Sequence, residues 1–218
     1  MLWKNTVARK LIEHYYKIKT DPLFENHILV GGTALSLQLG HRESEDIDLF
    51  TLNKQDNNEC IRFLKNNFKS VEINNNKENI LQVVADGIKI DLISARGKLI
   101  ENPVNEENII MCGIKDICGM KLGAIQNRKK SKDYIDIAYL LQNINMKDML
   151  EIYKTKYPQD DIDKVKKALC EADKINPYEW YTIKMIKNDI ELISIPQLLK
   201  NEVKKYNLLY ETNKNTSN

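Results

Sequence analysis

Asp46 and Asp48, separated by Ile47, are the residues of this 218-residue chain whose type and spacing most directly suggest chemistry. Side chains alternate along a strand, so both carboxylates fall on one face and Ile47 and Leu49 on the other. Two residues of rise set the acids roughly 7 Å apart on a rigid element. Like charges that close raise each other's pKa or recruit a cation. Mg²⁺ is commonly held by one or two carboxylates together with substrate phosphates. Just upstream, Ile28-Leu29-Val30 reads as a buried strand and Gly31-Gly32 as a turn that lets backbone approach a ligand. Thr33 then opens a short apolar helix running to Leu39, and the N–H groups at a helix N-terminus bind phosphate. A phosphate cradle followed by paired carboxylates is the equipment of phosphoryl or nucleotidyl transfer.

The elements that must position these residues are legible on either side. Residues 3–19 carry Val7, Leu11, Ile12, Tyr15 and Ile18 near helical spacing, and His14 beside that stripe reads as a partly exposed structural histidine. Residues 54–67 read as a second helix, and Asn74 to Asn76 with Lys77 as a turn. Residues 79–85 and 88–94 flank Asp86-Gly87, a favoured two-residue hairpin turn. In the second arm Lys89, Asp91 and Ile93 share one face. Asp91 is an acid in an apolar strand. Burying it without a partner is costly, so it is either paired, solvent-facing or functional. Residues 108–112 read as one more strand.

From Gly113 the pattern turns helical. Ile117, Met120, Lys121, Ala124 and Ile125 follow helical spacing, and Lys121 beside an apolar stripe is out of place unless it turns to an acid or a ligand. Arg128 to Lys132 form a basic loop, and Asp133 and Asp136, three residues apart, share the face of the next helix. Further helices are expected over 146–156, 160–173 and 197–211, and the tail 212–218 is expected to be disordered. Arg42, between cradle and carboxylates, either contacts a nucleotide phosphate or the acids at 46 and 48, or sits in a surface loop paired locally with Glu43 or Glu45. For neighbouring His41 both readings stay open.

Composition sets outer bounds. Hydrophobic residues at 42% and charged residues at 29% are globular values, and a formal net charge of +2 gives no global nucleic-acid footprint. The charge is uneven: residues 1–112 hold 14 basic and 16 acidic side chains, and residues 113–218 hold 19 and 15. Cys60, Cys112, Cys118 and Cys170 show no Cys-x-x-Cys pair and no metal spacing with the three histidines, so buried free thiols in a reducing cytoplasm are expected rather than zinc. No signal peptide and no apolar run of membrane length is evident, and the chain is read as cytoplasmic.

The wording Gly31-Gly32-Thr33-Ala34-Leu35, then Gly40-His41-Arg42, Ser44 and Asp46-Ile47-Asp48-Leu49-Phe50, resembles the nucleotidyltransferase superfamily with the DNA polymerase β-type fold. Within it, the chain resembles the AbiEii/AbiGii-type toxin nucleotidyltransferases of bacterial abortive-infection and toxin–antitoxin systems. Many relatives carry Lys before the two glycines, where this chain has Val30, so no phosphate contact carries over there. The resemblance resumes at Asp116-Ile117, Met120-Lys121-Leu122, Arg128 and Lys132-Asp133-Tyr134-Ile135-Asp136. It implies an α+β chain: a nucleotidyltransferase core over 1–112, a small mixed sheet with flanking helices, and a helical lobe over 113–218 that completes the active site. It implies that Asp91 joins Asp46 and Asp48 in holding one or two Mg²⁺ ions. It implies that Gly31, Gly32, Thr33, Arg42 and Lys121 bind the NTP. A helical lysine and acid, Lys121 and Asp133 with Asp136 as the other candidate, would complete the catalytic set. The acceptor would be a tRNA 3′ end gripped by the basic loop, and an antitoxin protein would be encoded nearby. Two rival readings are a small-molecule nucleotidyltransferase of the antibiotic-modifying kind and a non-catalytic nucleotide-binding module. The first would want an acidic acceptor pocket; the second would be expected to have eroded its acids.

Overall fold

The structure is a computed structural model that describes residues 2–95 and 97–211, so the tail expected to be disordered lies outside the described residues. The chain divides into two compact units, Met1–Gly113 and Ile114–Asn218.

The first unit holds, in order, α1 (Arg9–Lys19), β1 (Ile28–Val30), α2 (Gly31–Leu39), β2 (Asp46–Thr51), α3 (Asn57–Asn67), β3 (Val71–Lys77), β4 (Ile80–Ala85), β5 (Ile88–Ser94), β6 (Val104–Glu106) and β7 (Ile109–Met111). The strands form one mixed sheet in the order β3-β4-β5-β2-β1-β7-β6. The β2–β5 and β1–β7 pairs are parallel, and the rest are antiparallel. One face is core: Ile47 and Leu49 of β2, Leu81 and Val83 of β4, and Ile90 and Leu92 of β5 are fully buried. Each such side chain contributes about 1.5–3 kcal/mol on burial. The alternate residues, Asp46, Asp48 and Lys89 among them, stand half-buried on the other face.

Local chemistry explains most boundaries. The β4–β5 turn has φ of 46° at Asp86 and 84° at Gly87, the doubly positive pair that matches the twist of a two-residue hairpin. The Asp86 carboxylate pins it by accepting from the Ser70 N–H at 2.8 Å. α3 starts at Asn57, later than expected, because Asp56 caps it, accepting from the N–H groups of Asn58 and Glu59. α1 starts at Arg9 rather than residue 3. Val7 bridges to Ser44, and the Ser44 N–H donates to the Thr6 carbonyl, so the segment before Ala8 is drawn into the sheet side of the fold. His14 is buried rather than partly exposed, its ring 4.7 Å from that of Phe68.

Two strands depart from the expectation. Asn74 to Asn76 with Lys77 are the end of β3, not a turn; the chain reverses instead after Lys77, with Asn79 at φ 67°. An edge strand needs only one hydrogen-bonded side, which β4 supplies, so polar side chains can point outward along it. β6 was not anticipated. Its turn to β7 uses Glu107 and Asn108 at φ 52° and 61°, a positive pair without the glycine that usually signals it.

The second unit is helical: α4 (Ile114–Asn127), α5 (Ser131–Leu140), α6 (Met146–Lys156), α7 (Ile162–Cys170), α8 (Pro177–Trp180) and α9 (Ile195–Tyr206). Asn145 and Asp161 cap α6 and α7. α4 and α6 lie close, since a Cβ on Gly119 would meet the Lys156 side chain at 2.9 Å. Across that contact Lys156 Nζ lies 2.6 Å from Asp116 Oδ1, an ion pair buried on both sides. All four cysteines are free, three of them buried, and burial pushes the Cys60 and Cys118 thiols up to about 12. Among the described residues no helix is long and apolar enough to cross a membrane.

Candidate active site

The antiparallel β1–β2 register sets Val30 opposite Asp48, so the next residue, Gly31, meets the Asp48 carboxylate. Gly31 has φ +70°, and a Cβ there would lie 2.2 Å from Asp48 Oδ2. Both conditions demand glycine. A Cβ on Gly32 would come within 2.5 Å of Arg42 Nη2, so the second glycine makes room for the guanidinium. Val30, the residue preceding α2, supplies no side-chain cap, which leaves the first-turn N–H groups without a side-chain acceptor from that position. Thr33 is fully buried; its Oγ1 lies 2.8 Å from Ser44 Oγ and also contacts the Asp46 carbonyl oxygen. The Thr33 hydroxyl thus ties α2 to the start of β2. Arg42 is buried rather than in a surface loop, and donates from Nη1 to the Glu43 carbonyl at 2.8 Å.

Parallel pairing of β2 with β5 brings the acids together. Asp48 is the register partner of Asp91, and Asp46 of Lys89. Paired strands run about 4.8 Å apart and paired residues share a face, so Asp46, Asp48, Lys89 and Asp91 form one polar patch. Gln82 joins from β4 as the register partner of Asp91 on its other side. Gln82 Nε2 donates to Asp91 Oδ2 at 2.8 Å, and Lys89 Nζ donates to the same oxygen at 2.9 Å. Asp91 Oδ1 is buried and has no hydrogen-bond partner among the described residues. Partial burial works against the Lys89 charge, but its bond to Asp91 and the fields of Asp91, Asp46 and Asp48 outweigh that and raise its pKa.

This donor set fits a hard divalent cation. It is all carboxylate, it stands on adjacent rigid strands, and one buried oxygen lacks a partner. As the side chains stand, no three acidic, histidine or cysteine groups among the described residues are gathered to hold a metal, and Lys89 rests on Asp91. Lys89 was placed on the Asp91 face by strand alternation, but its reach to the carboxylate could not be read from that.

In the helical unit Lys121 of α4 lies 2.8 Å from Asp133 Oδ1 and 2.6 Å from Asp136 Oδ2, both on α5. Both acids are fully buried, and both reach the one lysine. Arg128 grips Asp133 through Nε and Nη2 at 2.9 and 3.2 Å. Burial alone would raise the Asp133 carboxyl, yet Lys121 and Arg128 hold it below the usual carboxylate range. Of the basic loop, Arg128 is turned to Asp133 and Lys129 to Glu171 at 2.7 Å. Beside the loop a cavity of about 770 Å³ is lined by Lys129, Lys164, Lys167 and Tyr157, with Asp160 and Glu171 among its acids.

A helix opened by two glycines against a carboxylate-bearing mixed sheet, with helices following, is the architecture of a polymerase β-type nucleotidyltransferase. Solved structures agree on that fold. JHP933 of Helicobacter pylori matches with a TM-score of 0.58 at 15% identity, over 96% of this chain and 97% of its own. A second H. pylori protein, provisionally assigned as a nucleotidyltransferase, matches at 0.54 and 16% identity, over 94% and 98%. The chain is also similar to the uncharacterised protein aq_aa25 of Aquifex aeolicus (strain VF5), 29% identical over 196 residues, 87% of this chain and 92% of that one. It belongs to the nucleotidyl transferase AbiEii toxin family of type IV toxin–antitoxin systems, whose profile matches residues 15–205. The protein is a nucleotidyltransferase toxin, and its donor substrate is an NTP.

Proposed function

We propose that this toxin transfers an NMP from an NTP to a hydroxyl of tRNA, with Mg²⁺ held by Asp46, Asp48 and Asp91. The observation that carries the metal assignment is the Asp48–Asp91 register together with the unpartnered, buried Oδ1 of Asp91. Bound there, Mg²⁺ would neutralise triphosphate charge and lower the pKa of the attacking hydroxyl. The backbone N–H groups of Gly31, Gly32 and Thr33 receive the terminal phosphates at the start of α2. Arg42, stacked behind Gly32, adds a fixed positive charge to that cradle. The acceptor hydroxyl loses its proton to solvent, its oxygen bonds to the α-phosphorus as the bond to the β-phosphate oxygen breaks, and pyrophosphate leaves.

Lys121 is the cation assigned to the charge that builds on the transferred phosphoryl group. Asp133 and Asp136 hold its ammonium in place. Asp133, kept anionic by two cations, suits that holding role better than that of a proton acceptor. A tRNA acceptor is supported by the toxin family to which the chain belongs. The reaction would run in the cytoplasm, where tRNA and NTPs occur, under restraint by a cognate antitoxin.

The test is incubation of purified protein with Mg²⁺, each labelled NTP in turn and total tRNA, beside an Asp48→Ala control. Label in tRNA with one NTP, absent from the control, is the expected result. Label in a small-molecule or protein acceptor instead would overturn the tRNA assignment. Transfer that persists in the control would overturn the carboxylate assignment.

A further inference from the structure

Three carboxylates on adjacent strands would repel one another in the metal-free protein, and the structure shows what offsets this. Lys89 Nζ sits 2.9 Å from Asp91 Oδ2, and β2–β5 pairing sets Lys89 directly beside Asp46. Its side chain keeps 42% of its exposure, so it leans over the patch from the solvent side and is not a packed structural lysine. Gln82 donates to the same Asp91 oxygen, which leaves Oδ1 bare and Oδ2 doubly bonded.

We propose that the Lys89 ammonium is a built-in counter-ion of the carboxylate patch, competes with the divalent cation for Asp91, and gives way more readily when a triphosphate offers it new oxygen partners. This rests on the metal assignment above. The physical reason is valence and reach. An ammonium is a compact point charge on a flexible stem, so it can satisfy one carboxylate oxygen and leave without moving the sheet. A divalent ion that takes Asp91 must displace it, and the displaced charge then opposes the ion at short range. Phosphate oxygens arriving with the ion remove that opposition. Lys89 is therefore a specificity-determining residue: it disfavours loading by the metal alone and favours loading by the metal–nucleotide pair. The site is kept from holding an ion it cannot use.

The experiment is Mn²⁺ titration of the full chain followed by electron paramagnetic resonance, with melting temperature measured alongside. Lys89→Met keeps the length of the side chain and removes the charge at a partly exposed position, and the melting curve reports whether the variant stays folded. Lys89→Met is expected to bind Mn²⁺ about tenfold tighter than wild type, the factor that corresponds to ~1.4 kcal/mol. Metal-free Lys89→Met is expected to melt lower than metal-free wild type, and the difference to vanish at saturating Mn²⁺. Lys89→Arg, whose fork can take both Asp91 oxygens, is expected to bind Mn²⁺ no tighter than wild type. With a non-hydrolysable NTP present, the gap between wild type and Lys89→Met should close. Equal or weaker Mn²⁺ binding by Lys89→Met would overturn the competition, and a gap unchanged by nucleotide would overturn the hand-over to phosphate. An Asp48→Asn control separates the two levels of the argument. If wild type binds Mn²⁺ and Asp48→Asn does not, the metal assignment stands whatever Lys89→Met does; if no variant binds, the metal assignment falls and the Lys89 proposal with it.

Discussion

The two clusters of charge in this chain are built on opposite plans. On the sheet, Asp46 and Asp48 are half-buried, and Asp91 has one oxygen doubly bonded and one with no hydrogen-bond partner among the described residues. In the helical unit, Lys121, Arg128, Asp133 and Asp136 balance two charges against two, with both acids fully buried. Like the Asp116–Lys156 pair on the same helix α4, the second cluster sets buried acids against cations. The first gathers half-buried carboxylates of two paired strands, with Lys89 set against Asp91. Charge clusters that look alike in sequence therefore divide into one whose disruption should cost activity alone and one whose disruption should cost stability as well.

The sharpest way to break that contrast is to remove one acid from each. Asp48→Asn should lower nucleotidyl transfer on the order of a thousandfold, as loss of a transition-state contact does, while the melting temperature stays level or rises. Asp136→Ala should lower transfer and also destabilise the protein by about 1–3 kcal/mol, because Lys121 loses one of its two carboxylate partners in a buried site. A urea titration checks the second and a labelled-NTP assay the first. A destabilised Asp48→Asn, or an Asp136→Ala that melts like wild type, would erase the distinction.

A pair of glycines sharpens it further. Gly31 at φ +70° and Gly87 at +84° carry the same backbone strain on substitution, about 1–2 kcal/mol by the usual cost of the left-handed region. A Cβ at Gly87 meets nothing within 4 Å, whereas one at Gly31 strikes the Asp48 carboxylate. Gly87→Ala should thus lose only stability, and Gly31→Ala should lose stability and most of its transfer activity. Matched denaturation and activity measurements on the two variants decide this.

The smallest effect lies in acid. Asp133 has its folded pKa depressed, so its contribution to stability is complete above the unfolded value of about 3.9 and is lost as pH falls through the lower folded value. Asp133→Asn should therefore show a flatter decline in stability below about pH 4 than wild type, with little difference in that slope near neutrality. Chemical denaturation at a series of pH values measures it.

What could be read in advance follows from the range of the forces involved. Asp46, Asp48 and Asp91 were legible because a two-residue period assigns faces within a single strand, and the Asp86-Gly87 hairpin because its turn chemistry is local. Helical spacing puts Asp133 and Asp136 on one face, and the fold brings both within ion-pair distance of Lys121. The burial of Arg42, the Lys156–Asp116 pair and the β2–β5 register join segments far apart in the chain, so no local pattern carries them. β3 was missed for a different reason: asparagines that face outward on an edge strand have the same composition as a turn.

The parallel register of β2 and β5 also has a kinetic consequence. The β4–β5 hairpin closes through a two-residue turn and can form early, on a microsecond scale. Asp48 meets Asp91 only after the whole segment between them has folded back, a slow contact of long loop closure. A half-folded chain would then hold Asp48 and Asp91 apart until that pairing forms, later than the hairpin. Pulse-labelled hydrogen exchange during refolding would show it as protection of β4–β5 amides before those of β2; simultaneous protection would count against it.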